Sequence, residues 1–447
     1  MLSSFIQGEV IYMEKINLLY DASVVCNILT KNSSRSGIFF VAYNVLLEFL
    51  KRPNYNVYLY AENLVNLRKL IRTYPEFSEC KIYKFPFLRN CVSYLEYKKI
   101  QNKLNKGFGP ARSIYGLLAS VLKKCYFLTD GSIDLTNIDA YFSPMHAIPA
   151  FVSKNEHVKC FTMLHDVIPI ARECQELKWT AKWFYRLVKS MNSEDYYFAN
   201  SEFTKQDFLK YIPKLNGEHI SVVPLSTGKP YRKIVDVDEI NEVKRKYNIP
   251  LDKKYMFSLC SLNPRKNLIF SIRNFLKFTA KNKLEDYILV LGGAYFDGFE
   301  KVMNEELSEF GDLSEKILRI GYVDDEDLSA LYSGAEVFLF PSLYEGFGMP
   351  VLEAMQCGLP VICSNCTSIP EVIGDCGIQI NPHNDEEMVS AMEKMSFDKP
   401  FYDECAQKGM ERAKLFTWQK CGDIITEHIC GELNETEQNI NNYSYVQ

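Results

Sequence analysis

At 447 residues the chain is too long for one ordinary core, so two domains are expected. Hydrophobic residues make up 47% and charged residues 24%, the balance of a soluble globular protein rather than a disordered or fibrous one. The net charge of −5 gives no overall reason to expect a nucleic-acid partner, and no run of about 18 apolar residues is present to span a bilayer.

The opening stretch "MLSSFIQGEVIYMEKINLLYDAS" lacks a basic start followed by a long apolar core. No signal peptide is expected, and the protein is placed in the cytoplasm or, as a peripheral protein, at the inner face of the plasma membrane. Buried strands are read at 16–23, 56–61, 138–144, 158–164, 195–201 and 220–226, with a helical pattern at 41–52 between the first two. Residues 81–125 depart from the acidic whole: ten Lys or Arg stand there against one acid, Glu96, with Phe, Tyr and Leu interleaved. That pattern fits a solvated helical face, or a surface that meets anionic lipid or a phosphate-bearing acceptor. Three strands of this half end in polar groups, His146, His165 with Asp166, and Asn200 with Ser201, and strand ends on one side of a parallel sheet line one cleft.

The polar segment 228–254 holds no strand pattern and is the natural join. A second set of apolar runs follows at 255–261, 287–293, 317–323, 337–342, 360–364 and 377–382, with a helix expected at 268–282. Continuous apolar strands alternating with helices imply parallel sheets covered on both faces, and two sets imply two doubly wound domains. A last helix is expected near 416–429, before a polar, frayed tail. The fourteen cysteines are scattered, and the close pair Cys363 and Cys366 has no second pair or nearby histidine to complete a zinc site. The acidic run at 323–327 reads as a solvated helix start, so no metal is expected.

The stretch "PSLYEGFGMPVLEAMQCGLPVICSN" (341–365) carries the chemistry. It reads as a strand end, a glycine turn and a short helix, with Pro350 in the first turn and Gly358 past the end. Gly346 and Gly348 let the backbone approach a ligand closely. The opening residues Met349, Pro350, Val351 and Leu352 offer unpaired N–H groups and a positive dipole end, suited to phosphate. Glu345 and Glu353, one on each side, suit the hydroxyls at the two ends of a sugar nucleotide, although glutamate in a first helical turn is also favoured by the dipole alone. In "SLCSLNPRKNLIF" (258–270), Arg265 and Lys266 follow another strand of the same domain, where an adjacent pair of cations can neutralise a departing diphosphate.

"NPRKNL", the 341–365 stretch and "IPEVIGDCGIQINP" together resemble the nucleotide-sugar-binding half of the retaining glycosyltransferases of family 4. The resemblance runs from about residue 255 to 387 and extends to "FTWQK" (416–420). It implies the GT-B fold: two Rossmann-like domains facing across a cleft, an acceptor-binding domain at 1–228 and a nucleotide-sugar domain at 229–415. A helix at 416–432 would return to the first domain, leaving a disordered tail at 433–447. Carried onto matching positions, Arg265 and Lys266 would grip the diphosphate, and Glu345 would sit at the donor sugar with the amides of Gly346, Phe347 and Gly348. Glu353 would bind the ribose, and the base would lie near Tyr322 and Val323. "LHDVIP" resembles the family's His-Asp element, which sets His165 at the donor sugar. "SRSGIFFVAYNVLLEF" (34–49) resembles its first glycine loop, bringing Gly37 close to the phosphates; Arg35, His146, Asp166 and Ser201 are candidates on the acceptor side. The loop lacks the Lys-x-Gly-Gly element of the related glycogen and starch synthases, which argues against glucan synthesis.

The implied reaction is metal-independent transfer of a hexose, with retention, from a nucleoside-diphosphate sugar to a hydroxyl of a growing, lipid-linked or free, cell-surface glycan. No cofactor is implied beyond the donor, the leaving phosphate itself can take the acceptor proton, and GDP-mannose is favoured slightly over a UDP-sugar. Two alternatives share the architecture: a non-catalytic partner subunit and a nucleotide-sugar epimerase.

Overall fold

The computed structural model describes residues 15–29, 37–83, 87–104, 110–127, 133–171, 178–260, 263–293 and 299–444. Strands β1 (Ile16–Asp21), β2 (Tyr55–Tyr60), β3 (Lys81–Ile82), β4 (Ala140–Ser143), β5 (Lys159–Leu164), β6 (Tyr196–Ala199) and β7 (Ile220–Val222) form one parallel sheet. Its order is β3-β2-β1-β4-β5-β6-β7. Strands β8 (Lys254–Leu259), β9 (Tyr287–Gly292), β10 (Ile317–Gly321), β11 (Val337–Phe340), β12 (Val361–Ser364) and β13 (Ile378–Ile380) form a second, ordered β10-β9-β8-β11-β12-β13. In each sheet the strand order reverses at one place, between β1 and β4 and between β8 and β11. Such switch points open a crevice at the carboxyl ends of the strands.

The strands follow the apolar runs because both of their faces are covered. Every residue of β4, β6, β9, β11 and β12 is buried, and Tyr20 stacks on Phe142 across β1 and β4 at 5.4 Å. The unexpected strand is β3: two residues, the first an exposed lysine, give no apolar run to read. Within the join, residues 228–254 hold a helix, Val237–Lys246, capped by the Asp236 side chain on the amide of Asp238. Its first turn is acidic and its last turn basic, which complements the dipole.

The chain crosses between the domains twice, and the crossings are bonded to each other. Ser226 Oγ donates to the carbonyl of Phe416 at 2.9 Å, and Trp418 Nε1 to that of Thr227 at 2.8 Å. The helix Trp418–Ser444 then returns to the N-terminal domain, burying Cys421, Ile425 and Ile429 at fourfold spacing and pairing Asp423 with Arg52 at 2.5 Å. It continues twelve residues past position 432, so 433–444 are helical where a disordered tail was expected. The polar composition there reports solvation and not chain conformation; Glu, Gln and Leu are sound helix formers and no proline intervenes.

Candidate functional site

The second sheet's switch point gathers the charged residues of the motif. After β8, Asn263 caps a single 3-10 turn, Pro264–Lys266, by accepting the amide of Arg265 at 2.9 Å. Asn267 ends that turn in the left-handed region, φ 56°, so Arg265 and Lys266 are held beside the end of β11. There Glu345 receives Lys266 Nζ on Oε1 at 2.6 Å and lies 3.1 Å, through Oε2, from Arg265 Nη1. Ser342 Oγ also donates to Oε1, at 2.6 Å, and the Arg265 guanidinium donates to the carbonyl of Tyr344. Burial alone would raise the Glu345 pKa, but Lys266 and Arg265 outweigh it and hold the carboxyl at about 2. Two cations and one fixed carboxylate leave the turn with net positive charge, ready for an anion larger than Glu345 can balance.

Gly348, at φ 106°, is the N-cap of the helix Met349–Gln356. An ideal Cβ on Gly37, the first residue of the helix Gly37–Leu50, would lie 3.3 Å from Met349 Sδ. The starts of two helices, one from each domain, therefore lie against each other here, close to the turn that carries Glu345. Phe347 packs its ring edge-on against Phe416 at 5.9 Å and so ties the turn to the interdomain crossing.

The N-terminal domain closes on this turn. His165 Nε2 stands 2.6 Å from the carbonyl of Pro144, which only accepts, so the neutral ring carries its proton there. Burial lowers the His165 pKa, against the smaller effect of that bond. Its own carbonyl abuts Gly346: an ideal Cβ on Gly346 would lie 2.0 Å from it. Asp166 makes a local turn, accepting the amide of Ile168 at 3.0 Å. Ser201, expected on the acceptor side, is buried, caps the helix Glu202–Tyr211 and donates to the Gly346 carbonyl at 2.8 Å. Thr204 donates to the same oxygen at 3.1 Å. Both hydroxyls are clasps between the domains. Glu371 adds a third, accepting the amides of Glu202 and Phe203 at 2.8 Å each, and Tyr344 bonds Asp207. Sequence reading missed Glu371 and Thr204; the Ser-Glu start of a helix is the local signal for Ser201 as a cap.

Glu353 stands one residue past the first turn of its helix, because Gly348 takes the capping position and Met349 to Leu352 fill that turn. It accepts from Tyr332 Oη at 2.8 Å, with Tyr231 alongside. Burial raises its pKa to about 7, against the pull of the two tyrosines. Ionisation of Glu353 therefore opposes folding: the cost is absent below about pH 4.5, grows from there to 7 and is full above. Glu353→Gln should accordingly match the wild type in stability at pH 4.5 and exceed it at pH 8 by on the order of 3 kcal/mol. Thermal melts at the two pH values check this; equal differences at both would sink it.

Val323 is buried against the Gly292 end of β9, and the adjoining Tyr322 is exposed. The acidic run beside them is bonded: Lys246 Nζ reaches Asp324 at 2.8 Å and Asp327 at 2.6 Å, and Tyr247 donates to Asp327 at 2.7 Å. His146 stands apart, at the switch point of the first sheet, facing Asp21 at 3.2 Å. Arg35 lies outside the described residues.

Residues 239–412 match the model of the family described as glycosyl transferases group 1. The chain is 34% identical over 236 residues to the O-antigen chain mannosyltransferase B of Escherichia coli, covering 53% of this chain and 60% of that protein. It is 29% identical over 290 residues to the serotype-specific mannosyltransferase WbdA of Escherichia coli, covering 63% of this chain and 34% of that protein. The chain thus spans about 60% of the first of these relatives and a third of the second. In fold it resembles Anabaena HepE, solved with UDP and glucose, at a TM-score of 0.63 and 14% identity, covering 93% of this chain and 100% of that one. The likeness is one of fold: two Rossmann-like domains in the GT-B arrangement.

Proposed function

We propose that this chain, whose residues 239–412 match the model of the glycosyl transferases group 1, transfers a mannose-like hexose from a nucleoside-diphosphate sugar to a hydroxyl of a growing cell-surface glycan. The observation that carries the reading is that Arg265 and Lys266 meet at Glu345, three residues before Gly348, the N-cap of a helix whose start lies against Gly37 of the other domain. Fixed positive charge stabilises a diphosphate most as it leaves, and a closed interface keeps water from the reacting carbon. In this reading Glu345, already charged, faces the donor sugar with the Gly346–Gly348 turn, and Glu353 exchanges a tyrosine hydroxyl for those of the ribose. Tyr322 and Val323 flank the base, His165 meets the sugar, and transfer proceeds without a metal and with retention. The mannosyltransferase names of the sequence relatives favour mannose, and GDP-mannose is the donor this reading takes first.

The test is thermal stabilisation by a panel of nucleotides and nucleotide sugars, followed by product analysis with the donor found. GDP-mannose should raise the melting temperature more than any UDP-sugar. Absence of a shift with every donor would remove the transferase reading.

We place the lipid-linked acceptor at an anionic membrane surface met by the hairpin of helices Phe87–Leu104 and Pro110–Phe127. No helix among the described residues is long and apolar enough to cross a membrane. On the second helix of the hairpin, however, Ile114, Leu117, Leu118 and Val121 recur at helical spacing and are all exposed, Leu117 to 68%. An apolar stripe within a stretch of ten cations and one acid suits an anionic bilayer, the apolar side chains entering the headgroup boundary. Cosedimentation with phosphatidylglycerol vesicles should fall about tenfold when Lys98, Lys99, Lys103 and Lys106 become Ser, and again with Leu117→Ser and Val121→Ser. Undiminished binding in both variants would remove the membrane from the reading.

A further inference from the structure

The first sheet has a switch point of its own, between β1 and β4, whose contents the donor reading leaves unused. Asp21 closes β1 there, and His146 follows β4 by three residues. The Asp21 side chain is only 2% exposed, between the buried Tyr20 and Ala22 and near the buried Cys26. A carboxylate at that depth costs several kcal/mol unless its oxygens are met. Oδ1 accepts the amide of Ser23 at 2.9 Å, and Oδ2 faces His146 Nδ1 at 3.2 Å. A carboxylate only accepts, so Nδ1 carries a proton and Nε2 is left for another partner. The ring keeps 28% of its side-chain surface exposed, and Nε2 has no hydrogen-bond partner among the described residues.

The pair is also joined to the donor side. Ser143 Oγ donates to the His146 carbonyl at 2.7 Å, and the next residue, Pro144, is the acceptor that fixes His165. The His165 carbonyl in turn lies against Gly346. A continuous run of contacts thus leads from Asp21 and His146 to the turn that carries Glu345.

The anionic groups here limit the ligand. Burial alone would lower the His146 pKa, but Asp21, with Glu62 beyond β2 adding to it, outweighs that and raises it. The other titratable neighbours of Asp21, namely Tyr20, Tyr141 and Cys26, are buried and neutral, their pKa values raised by burial first and by Asp21 second. One imidazolium facing two carboxylates gives a phosphate no net attraction. A sugar hydroxyl, which both donates and accepts, meets Nε2 in either protonation state.

We propose that Asp21 and His146 form the acceptor-sugar subsite, His146 Nε2 hydrogen-bonding an acceptor hydroxyl and Asp21 acting as the positioning residue that fixes the ring. This rests on the transferase reading above and deepens it. The probes are GDP-mannose as donor and octyl α-mannoside as acceptor, with release of GDP to water measured in parallel without acceptor. In His146→Ala the acceptor KM should rise roughly tenfold or more, the loss of a well-placed hydrogen bond. Hydrolysis and stabilisation by GDP-mannose should stay within about twofold of the wild type. His146→Gln, whose amide still reaches a hydroxyl, should recover most of the loss, and Asp21→Asn should raise the acceptor KM with donor hydrolysis kept. Should Asp21→Asn not fold, the two His146 variants decide the matter.

An unchanged acceptor KM in His146→Ala, or an equal loss of hydrolysis, overturns the subsite. So does a wild type that binds and hydrolyses GDP-mannose but transfers nothing to octyl α-mannoside. A wild type stabilised by no nucleotide sugar overturns the transferase reading itself, so the two failures are told apart.

Discussion

Arg265→Ala is expected to lower kcat/KM for the donor by about 10²- to 10³-fold and to abolish thermal stabilisation by it. The variant keeps Lys266 against Glu345 at 2.6 Å, so the turn's net charge falls from positive to neutral just where two phosphates would arrive. Transition-state charge on the leaving diphosphate exceeds ground-state charge, so the larger loss belongs in kcat. Arg265→Lys should rescue little, because the planar guanidinium holds both Glu345 and the Tyr344 carbonyl in a fork that a lysine ammonium does not reproduce. The same pairing sets an acid limit on stability. The Glu345 pKa, near 2 in the fold against an ordinary 4.5, contributes stability that is full above 4.5 and is lost as pH falls toward 2. In Arg265→Ala the folded-state value should rise, so this contribution becomes smaller and is exhausted at a higher pH. A variant with donor kinetics within about fivefold of the wild type would falsify the diphosphate role.

The parts of this arrangement that could be read in the sequence are those written within one strand end and the turn after it. Arg265 and Lys266 follow β8, Glu345 follows β11, and the strand order that makes β8 and β11 neighbours is the common doubly wound one. Their meeting at one switch point was therefore legible once two strands and their carboxyl ends were identified. What joins distant segments was not. Tyr231 and Tyr332, which surround Glu353, come from the join and from the helix Leu328–Ser333, and neither carries a local mark of that duty. Glu371 reads as an ordinary helical glutamate until Glu202 and Phe203 are seen to aim their free amides at it. Asp21 reads as the polar end of β1 and gains meaning only when β4 is placed beside it. The short strand β3 and the helical course of residues 433–444 were missed for a simpler reason: composition records burial, and both are poorly buried or strongly polar.

The clasp around Gly346 leads to the second large effect. Gly346→Ala should leave both domains folded and yet reduce transfer by at least about 100-fold. Gly346 does not owe its place to an unusual backbone angle, since Gly348 is the left-handed residue of this turn. Space is the reason: a Cβ would stand 2.0 Å from the His165 carbonyl and 3.1 Å from Asp166 Cβ, both on the opposite domain. Backbone on each side leaves nothing flexible to yield, so the domains must separate by an ångström or more. Separation would strain the bonds of Ser201 and Thr204 to the Gly346 carbonyl and of Glu371 to the helix Glu202–Tyr211. The cations and the helix at Met349 stay together within their own domain, so nucleotide stabilisation should survive in good part while transfer, which needs both domains in register, does not. Ser201→Ala supplies the control, since it removes the bond to Gly346 and the helix cap without adding bulk and should cost about 2 kcal/mol of stability with milder kinetics. Small-angle scattering with GDP-mannose bound, read beside kcat, tests the difference. A Gly346→Ala protein as compact and as active as the wild type would mean that transfer does not depend on this closure.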